Sequence, residues 1–164
     1  NRDAALNAMI NRLRARPAVE VLEHRRAAFA VTRRLRRGGV VAFLVDHNTS
    51  QSEAVFLPFL ADIAAVNVGP ALLAVRAKAV IWPVCVLREQ GGYALHMSAP
   101  LDTTTLTGPI EERVRAAARF YTDAMATWVR AFPEQWFWIH KRWKTRPPDE
   151  SPAGTGGEEG GRRA

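Results

Sequence analysis

Two uninterrupted apolar runs constrain the fold of this chain more than any other feature. The first covers residues 40–45 (VVAFLV) and ends at Asp46, and the second covers residues 79–87 (AVIWPVCVL). A run without polar alternation is typical of a strand buried on both faces, as in a parallel sheet covered by helices. Because a helix is predicted to start at Pro70, between the two runs, the order strand–helix–strand predicts a right-handed crossover.

The other predicted elements follow from helical spacing, turn residues and prolines. Helices are predicted over residues 1–16, over about 23–36 with a stop at Gly38-Gly39, from Pro109 onward, and from Pro133 onward. Residues 54–57 form either a short strand or an ordered loop, and residues 93–97 pair back across the turn at Gly91-Gly92.

These patterns define the expected fold class and the expected domain limits. We expect an α/β fold in which helices pack on a mostly parallel or mixed β-sheet. One domain is expected over residues 1–148, and residues 149–164, which are rich in glycine and have no core-forming side chains, are expected to be disordered.

Composition indicates a folded protein that attracts an acidic partner. Of the 164 residues, 48% are hydrophobic, and the net charge is +7. This charge favours nucleic acid, an anionic lipid surface or an acidic protein, without choosing among them. The single cysteine, Cys85, excludes an internal disulfide, and no apolar stretch is long enough to span a bilayer.

Asp46 and His47 are the first candidates for a binding site. They follow the first apolar run, and ligands of open α/β sheets bind at the carboxyl ends of the strands. The alternative is a structural role, in which Asp46 caps the following turn. A metal site that adds Glu53 is disfavoured because the three residues lack the spacing of known metal sites, so no metal and no cofactor are predicted.

The most unusual segment covers residues 134–148 and reads EQWFWIHKRWKTRPP, with three of the five tryptophans. In a helix, Trp136, His140 and Trp143 would share one face, with cationic side chains beside it. The segment is then either a core helix with solvated charges or a surface that is apolar on one side and binds anions on the other.

Three stretches together carry a resemblance to a known family. They are residues 38–47 (GGVVAFLVDH), residues 55–60 (VFLPFL), and residues 133–147 (PEQWFWIHKRWKTRP). They resemble the late acyltransferases of lipid A biosynthesis, the lauroyl/myristoyl transferase family of the glycerolipid-acyltransferase fold. The last stretch is long and specific, and the resemblance extends from Asn1 to Pro148.

The resemblance implies transfer of a fatty acyl chain from acyl carrier protein to a hydroxyl of an acylated glucosamine lipid. In the family, a histidine of an H-x4-D/E motif is the general base. Here the residues five positions after the four histidines are Phe29, Ser52, Leu101 and Thr145, so the motif is absent. We therefore expect a C-terminal portion that carries no catalytic residue and is inactive alone, with the motif and a membrane anchor upstream.

The resemblance also implies substrate-binding residues within the chain. Arg14 is expected near the phosphate of the acceptor, Asp46 and His47 in the cleft, Pro83 at its floor, and Arg142, Lys144 and Arg146 against lipid phosphates or the acidic carrier protein. Trp136, Trp138 and Trp143 are expected at the depth of the lipid headgroups. The implied partners are acyl carrier protein, a glycolipid acceptor and the anionic cytoplasmic face of the inner membrane.

Two alternative functions remain open at this level. One is an acyltransferase of the same group that acts on a mannosylated phosphoinositide. The other is a basic nucleic-acid-binding domain, which the charge and the mixture of aromatic and cationic residues permit. No helix-turn-helix, zinc or RNA-binding signature supports it, so no nucleic-acid partner is predicted.

Overall fold

The computed structural model describes residues 8–9, 12, 19–22 and 27–150. It divides the chain into two compact units, Asn1–Val41 and Ala42–Ala164. Arg14, most of the predicted helix over residues 1–16 and the tail from residue 151 onward lie outside the described residues. The single domain predicted over residues 1–148 stays a prediction.

In the first unit, helix α1 covers Ala27–Arg36. Residues 8, 9 and 12 are also helical, as predicted. Arg37 and Gly38 follow α1 in a turn, where Gly38 adopts a left-handed φ of 76°. Glycine reaches this conformation without the steric cost of a Cβ, so the predicted stop at this position is confirmed.

The second unit begins with an antiparallel hairpin. Strand β1 (Ala54–Phe59) pairs with β2 (Asp62–Asn67), from Ala54 opposite Asn67 to Phe59 opposite Asp62. The two-residue turn between them places Leu60 at a φ of 58°. Of the two predicted alternatives for this region, the strand is therefore confirmed.

Two helices cover the hairpin and complete the core. Helix α2 (Gly69–Ala77) has Pro70 in its first turn, and α3 (Ile110–Ala131) starts directly after Pro109, both as predicted. The predicted apolar face of α3 is buried at Val114, Ala117, Tyr121 and Met125. One buried cluster combines side chains of β1, β2, α2 and α3: Leu57, Val66, Ala71, Val75, Val114, Ala117, Ala118 and Tyr121.

The second apolar run forms two short strands rather than one buried strand. Strand β3 (Val80–Ile81) pairs with β6 (Leu101–Asp102), and β4 (Val84–Glu89) pairs with β5 (Gly92–Met97), both antiparallel. Pro83 separates β3 from β4, because a proline has no N–H to donate to a ladder. The hairpin across Gly91-Gly92 is confirmed, but β4 is exposed on one face and not buried on both.

The first apolar run forms no strand. Residues 40–45 have no ladder partner in the described part of the chain, and Val40 (91%) and Leu44 (74%) are largely exposed, although Val45 packs against the core. The mixed α/β class is confirmed, whereas the described ranges contain no parallel sheet and no crossover between parallel strands. A strand exists only when a neighbouring strand accepts and donates its backbone hydrogen bonds, and no described segment does so here.

The helix predicted from Pro133 onward is also wrong. A single 3₁₀ turn covers Pro133–Gln135, and irregular turns follow it. The backbone hydrogen bonds within these turns join residues close in sequence; for example, the N–H of His140 donates to the carbonyl of Phe137 (3.2 Å). Aromatic residues are only moderate helix formers, so tertiary contacts of this segment decide its conformation.

Candidate functional site

The candidate site forms where two distant segments of the second unit meet. The first is the 46–49 loop (Asp46 to Thr49), and the second is the 140–146 segment (His140 to Arg146). The side-chain amide of Asn48 donates to Oγ1 of Thr145 (2.9 Å), and the N–H of Thr145 donates back to Oδ1 of Asn48 (3.2 Å). Oγ1 of Thr145 in turn donates to the carbonyl of Thr49 (2.8 Å). These bonds hold the 46–49 loop against the 140–146 segment.

His140 is part of the same junction. The backbone N–H of Asn48 donates to Nε2 of His140 at 2.7 Å. A ring nitrogen accepts such a bond through its lone pair. The lone pair that a general base would use is therefore already occupied by the loop.

The network continues from the loop into the core. Oγ1 of Thr49, which is buried, accepts from the side-chain amide of Asn67 (3.2 Å), and Oδ1 of Asn67 accepts from the N–H of Gly69 at the start of α2 (2.8 Å). The hydroxyl of Tyr121 donates to the carbonyl of Asn67 (2.9 Å). Burial raises the pKa of Tyr121, so this hydroxyl remains a donor at physiological pH. The loop is thus tied to β2, α2 and α3.

An aromatic cluster centred on Phe59 packs against the 140–146 segment. The ring of Phe59, which is 1% exposed, lies 5.9 Å from the ring of Trp136 and 5.9 Å from that of Trp143. The guanidinium of Arg142 lies over the same ring, 5.2 Å from its centroid. Cations and tilted aromatic rings are both attracted to an aromatic side chain in this geometry. Phe59 therefore connects β1 to the C-terminal segment.

Arg142 is fully buried, at 0% exposure. Its Nη1 donates to the carbonyl of Ala65 (2.6 Å), whereas Nε and Nη2 have no hydrogen-bond partner among the described residues. Burial lowers the pKa of Arg142, and the negative charge of nearby Asp46 opposes that shift. A buried cation with two such nitrogens is costly unless a negative charge lies near it. Asp46 supplies such a charge.

Arg146 is held by two carboxylates at the end of the segment. Nη1 of Arg146 lies 2.8 Å from Oδ2 of Asp62, and Nη2 lies 2.6 Å from Oε2 of Glu150. Hydrogen bonds to both carboxylates raise the pKa of Arg146, and the bond from Arg146 lowers that of Asp62. Much of the charge of Arg146 is therefore neutralised within the unit. Lys144 is exposed and forms no ion pair with the residues described.

The structure groups some of the predicted site residues and separates others. Asp46 and His47 are exposed and belong to the loop that contacts the 140–146 segment. Arg142 lies inside the protein and not on the surface where it was expected. Pro83 is buried between β3 and β4, and no hydrogen bond, ion pair or ring contact of the described residues joins it to the loop. Arg14 lies outside the described residues.

Several residues of the junction were missed from the sequence. They are polar or aromatic side chains that hold the loop in place: Asn48, Thr49, Phe59, Asn67 and Thr145. Asn48 and Thr49 directly follow the predicted Asp46-His47 pair, which was an available signal. The Asn67-x-Gly69-Pro70 order was another, because an asparagine before a helix commonly accepts from its first N–H groups.

Three segments thus meet in space: the 46–49 loop, β1 and the 140–146 segment. Each of them overlaps one of the three stretches that carried the family resemblance. A sequence profile described as "Bacterial lipid A biosynthesis acyltransferase" matches residues 1–145. The chain belongs to this family. Among the described residues, no group of three or more His, Cys, Asp or Glu side chains is arranged to hold a metal ion.

Individual relatives are similar over part of their length. The lipid A biosynthesis lauroyltransferase of Escherichia coli K12 is 31% identical over 116 residues, which are 69% of this chain and 36% of the relative. The lipid A biosynthesis palmitoleoyltransferase of the same strain is 30% identical over 121 residues (71% and 37%). A lipid A biosynthesis acyltransferase of Haemophilus influenzae is 28% identical over 123 residues (73% and 38%).

The match spans little more than a third of the length of each of these relatives. Within the described ranges, no helix is long and apolar enough to cross a bilayer.

Proposed function

We propose that the complete protein transfers a fatty acyl chain from acyl carrier protein to a hydroxyl of a lipid A precursor at the cytoplasmic face of the inner membrane. One observation carries the proposal: the family match over residues 1–145 covers the 46–49 loop, β1 and all but the last residue of the 140–146 segment, which converge at the junction. Such convergence is expected when segments far apart in sequence build one site.

The chemistry of acyl transfer determines what these residues contribute. A base must remove the proton of the acceptor hydroxyl, and the oxygen then attacks the thioester carbonyl while donors stabilise the oxyanion. Collapse of this intermediate breaks the C–S bond, forms the new ester and releases the thiol of the carrier protein, which takes up the proton that the base removed. No histidine of this chain has an acidic residue five positions later, and Nε2 of His140 already accepts the N–H of Asn48. We therefore assign acceptor binding and positioning to this part of the protein, and proton transfer to a residue outside it.

The proposed acceptor-binding residues differ in how they act. Asp46 and His47 are exposed and can contact a sugar hydroxyl or an amide of the acceptor directly. Lys144 is exposed and carries a cation suited to a phosphate or to the acidic carrier protein. Arg142 would act from inside, since its buried guanidinium faces the charge of Asp46 and orients the loop.

The other residues that were predicted to bind substrate are Arg146, Arg14 and Pro83, and their proposed roles differ. Arg146 holds Asp62 and Glu150, so it fixes the end of the segment and contributes less charge to a lipid phosphate. Arg14 remains a proposed ligand of the acceptor phosphate, because a guanidinium can bind two phosphate oxygens at once. Pro83 stays a proposed element of the cleft floor on the family resemblance alone.

A lipid A precursor is favoured over a mannosylated phosphoinositide as acceptor. The matching profile and the three relatives described above all carry lipid A biosynthesis in their names. Offering both acceptors to the complete protein, with acyl carrier protein that bears a labelled acyl chain as donor, separates the two. Labelling of the phosphoinositide alone would change the assignment within the acyltransferase group, and a salt-dependent DNA complex without lipid labelling would move it to another class.

The site assignment is tested by two substitutions in the complete gene product. We expect Asp46→Ala and Arg14→Ala to lower the rate of acyl transfer about tenfold or more without unfolding the protein, because each removes a charged hydrogen-bonding group. Asp123→Ala is the matched control, since Asp123 is an exposed aspartate on α3 that forms an ion pair with Arg119 four residues earlier. Wild-type rates in both site variants would refute the assignment.

A further inference from the structure

A short apolar tip projects from the C-terminal segment. Three consecutive side chains are exposed: Phe137 (68%), Trp138 (53%) and Ile139 (83%). Single exposed apolar residues are ordinary on a protein surface, but a contiguous group that includes two aromatic rings marks an interaction surface.

The tip is held outward by the residues on either side of it. Trp136 before it and Trp143 after it both pack against Phe59. Within the tip, Nε1 of Trp138 donates to the carbonyl of Pro133 at 2.7 Å. The indole is therefore fixed with its polar edge satisfied and its apolar face exposed. This arrangement is suited to the boundary between lipid headgroups and acyl chains, where indoles concentrate.

The charges around the tip specify the partner. Lys141 and Lys144 follow it, are exposed, and form no ion pair with the described residues. Arg130 is exposed at the end of α3 and, with Trp138, Pro133 and Val129, lines a shallow hollow of about 370 Å³ next to the tip. Glu134 is the only carboxylate between residues 131 and 145. An apolar tip that has Arg130 beside it and is followed in the chain by two exposed lysines complements an anionic bilayer.

We propose that Phe137, Trp138 and Ile139 insert into the outer part of an anionic membrane while Lys141 and Lys144 contact its headgroups. This deepens the proposed function and rests on it for the choice of a membrane partner, since the proposed acceptor is a membrane lipid. The tip would then hold the junction of the 46–49 loop at the depth where such an acceptor presents its sugar.

Two tryptophans allow a matched test. Trp82 is 54% exposed and its Nε1 donates to the carbonyl of Ser98 at 2.7 Å, so its exposure and its hydrogen bond nearly equal those of Trp138. The chain is mixed with vesicles of phosphatidylcholine and phosphatidylglycerol whose acyl chains carry bromine, which quenches nearby indoles. We expect Trp138→Phe to remove most of the quenching and Trp82→Phe to retain it, with circular dichroism confirming that both variants fold.

The affinity of the chain for these vesicles is a second, independent measurement. The double variant Phe137→Ser/Ile139→Ser is expected to bind these vesicles about tenfold or more weakly, since each side chain loses its apolar burial. Ile110→Ser at the start of α3, at 38% exposure, is the control and is expected to bind normally. Lys141→Gln should weaken binding about fivefold on anionic vesicles and leave binding to neutral ones unchanged.

Three outcomes would overturn the proposal. They are quenching that survives Trp138→Phe, vesicle binding that the double variant does not weaken, and a self-associated chain that the double variant dissociates without any lipid quenching. The last would show that a second copy covers the tip. None of these measurements uses acyl transfer. The membrane-insertion proposal can therefore be refuted while the proposed acyltransferase function holds, and the acyltransferase function can be refuted while membrane insertion holds.

Discussion

Replacing Phe59 with alanine tests whether the aromatic cluster holds the C-terminal segment in place. Phe59 is 1% exposed and contacts Trp136, Trp143 and the guanidinium of Arg142. Truncating a phenylalanine in such a position costs about 3–5 kcal/mol of unfolding free energy, as lost transfer energy and a residual cavity. Within that total, each aromatic pair contributes about 0.5–1.5 kcal/mol and the cation–π contact about 0.5–2 kcal/mol.

The matched control is Phe56→Ala in the same strand. Phe56 is half-buried and lies on the other face of β1, so its truncation is expected to cost less than about 2 kcal/mol. Urea unfolding followed by tryptophan fluorescence measures both variants, because two of the five tryptophans contact Phe59 directly. The emission of folded Phe59→Ala should also change, unlike that of Phe56→Ala. Equal losses of stability in the two variants, or a loss below about 1 kcal/mol for Phe59→Ala, would refute the reasoning.

Two further predictions concern the junction and its neighbouring ion pair. Thr145→Val should lower the unfolding free energy by about 1–3 kcal/mol in urea, because it leaves the Thr49 carbonyl and the Asn48 amide without a partner, whereas Thr145→Ser should not. Because the bond from Arg146 lowers the folded-state pKa of Asp62, its stabilisation is present above the unfolded pKa of about 3.9 and is lost as the pH falls through the folded value. The Tm difference between wild type and Asp62→Asn should therefore shrink from about pH 6 to about pH 3, and a constant difference would contradict this.

Local signals predicted the elements whose contacts are local. Pro109 and the spacing of Val114, Ala117 and Tyr121 predicted α3, and Gly91-Gly92 predicted the β4–β5 hairpin. In these cases the turn or cap and the apolar pattern lie within the same short stretch of chain. The sequence therefore contains what is needed to predict them.

The parallel sheet could not be predicted in this way, because an apolar run specifies burial but not its pairing partner. Residues 40–45 read as a strand, yet no described segment pairs with them. Pro83 interrupts the second run, and its effect on the ladder outweighs the β-forming residues on either side. The expected crossover failed for both reasons.

The site was predicted in part. The rule that ligands bind where strands end led to Asp46 and His47, and the structure places the loop that carries them against the 140–146 segment. The partners that hold the loop were not foreseen, because Asn48 and Thr145 are 97 residues apart and neither has a pattern that identifies the other. For the same reason the burial of Arg142, which depends on β1 and β2, was not anticipated.

The central claim is that this chain supplies the acceptor-binding part of a lipid A acyltransferase, with Asp46 in contact with the acceptor. The most direct measurement is the rate of acyl transfer from acyl carrier protein to an acylated glucosamine lipid, catalysed by the complete gene product and its Asp46→Ala and Asp123→Ala variants. We predict transfer by the wild type, a rate about tenfold or more lower for Asp46→Ala, and an unchanged rate for Asp123→Ala. A wild type that transfers no acyl chain, or an Asp46→Ala variant as fast as the wild type, would contradict the claim.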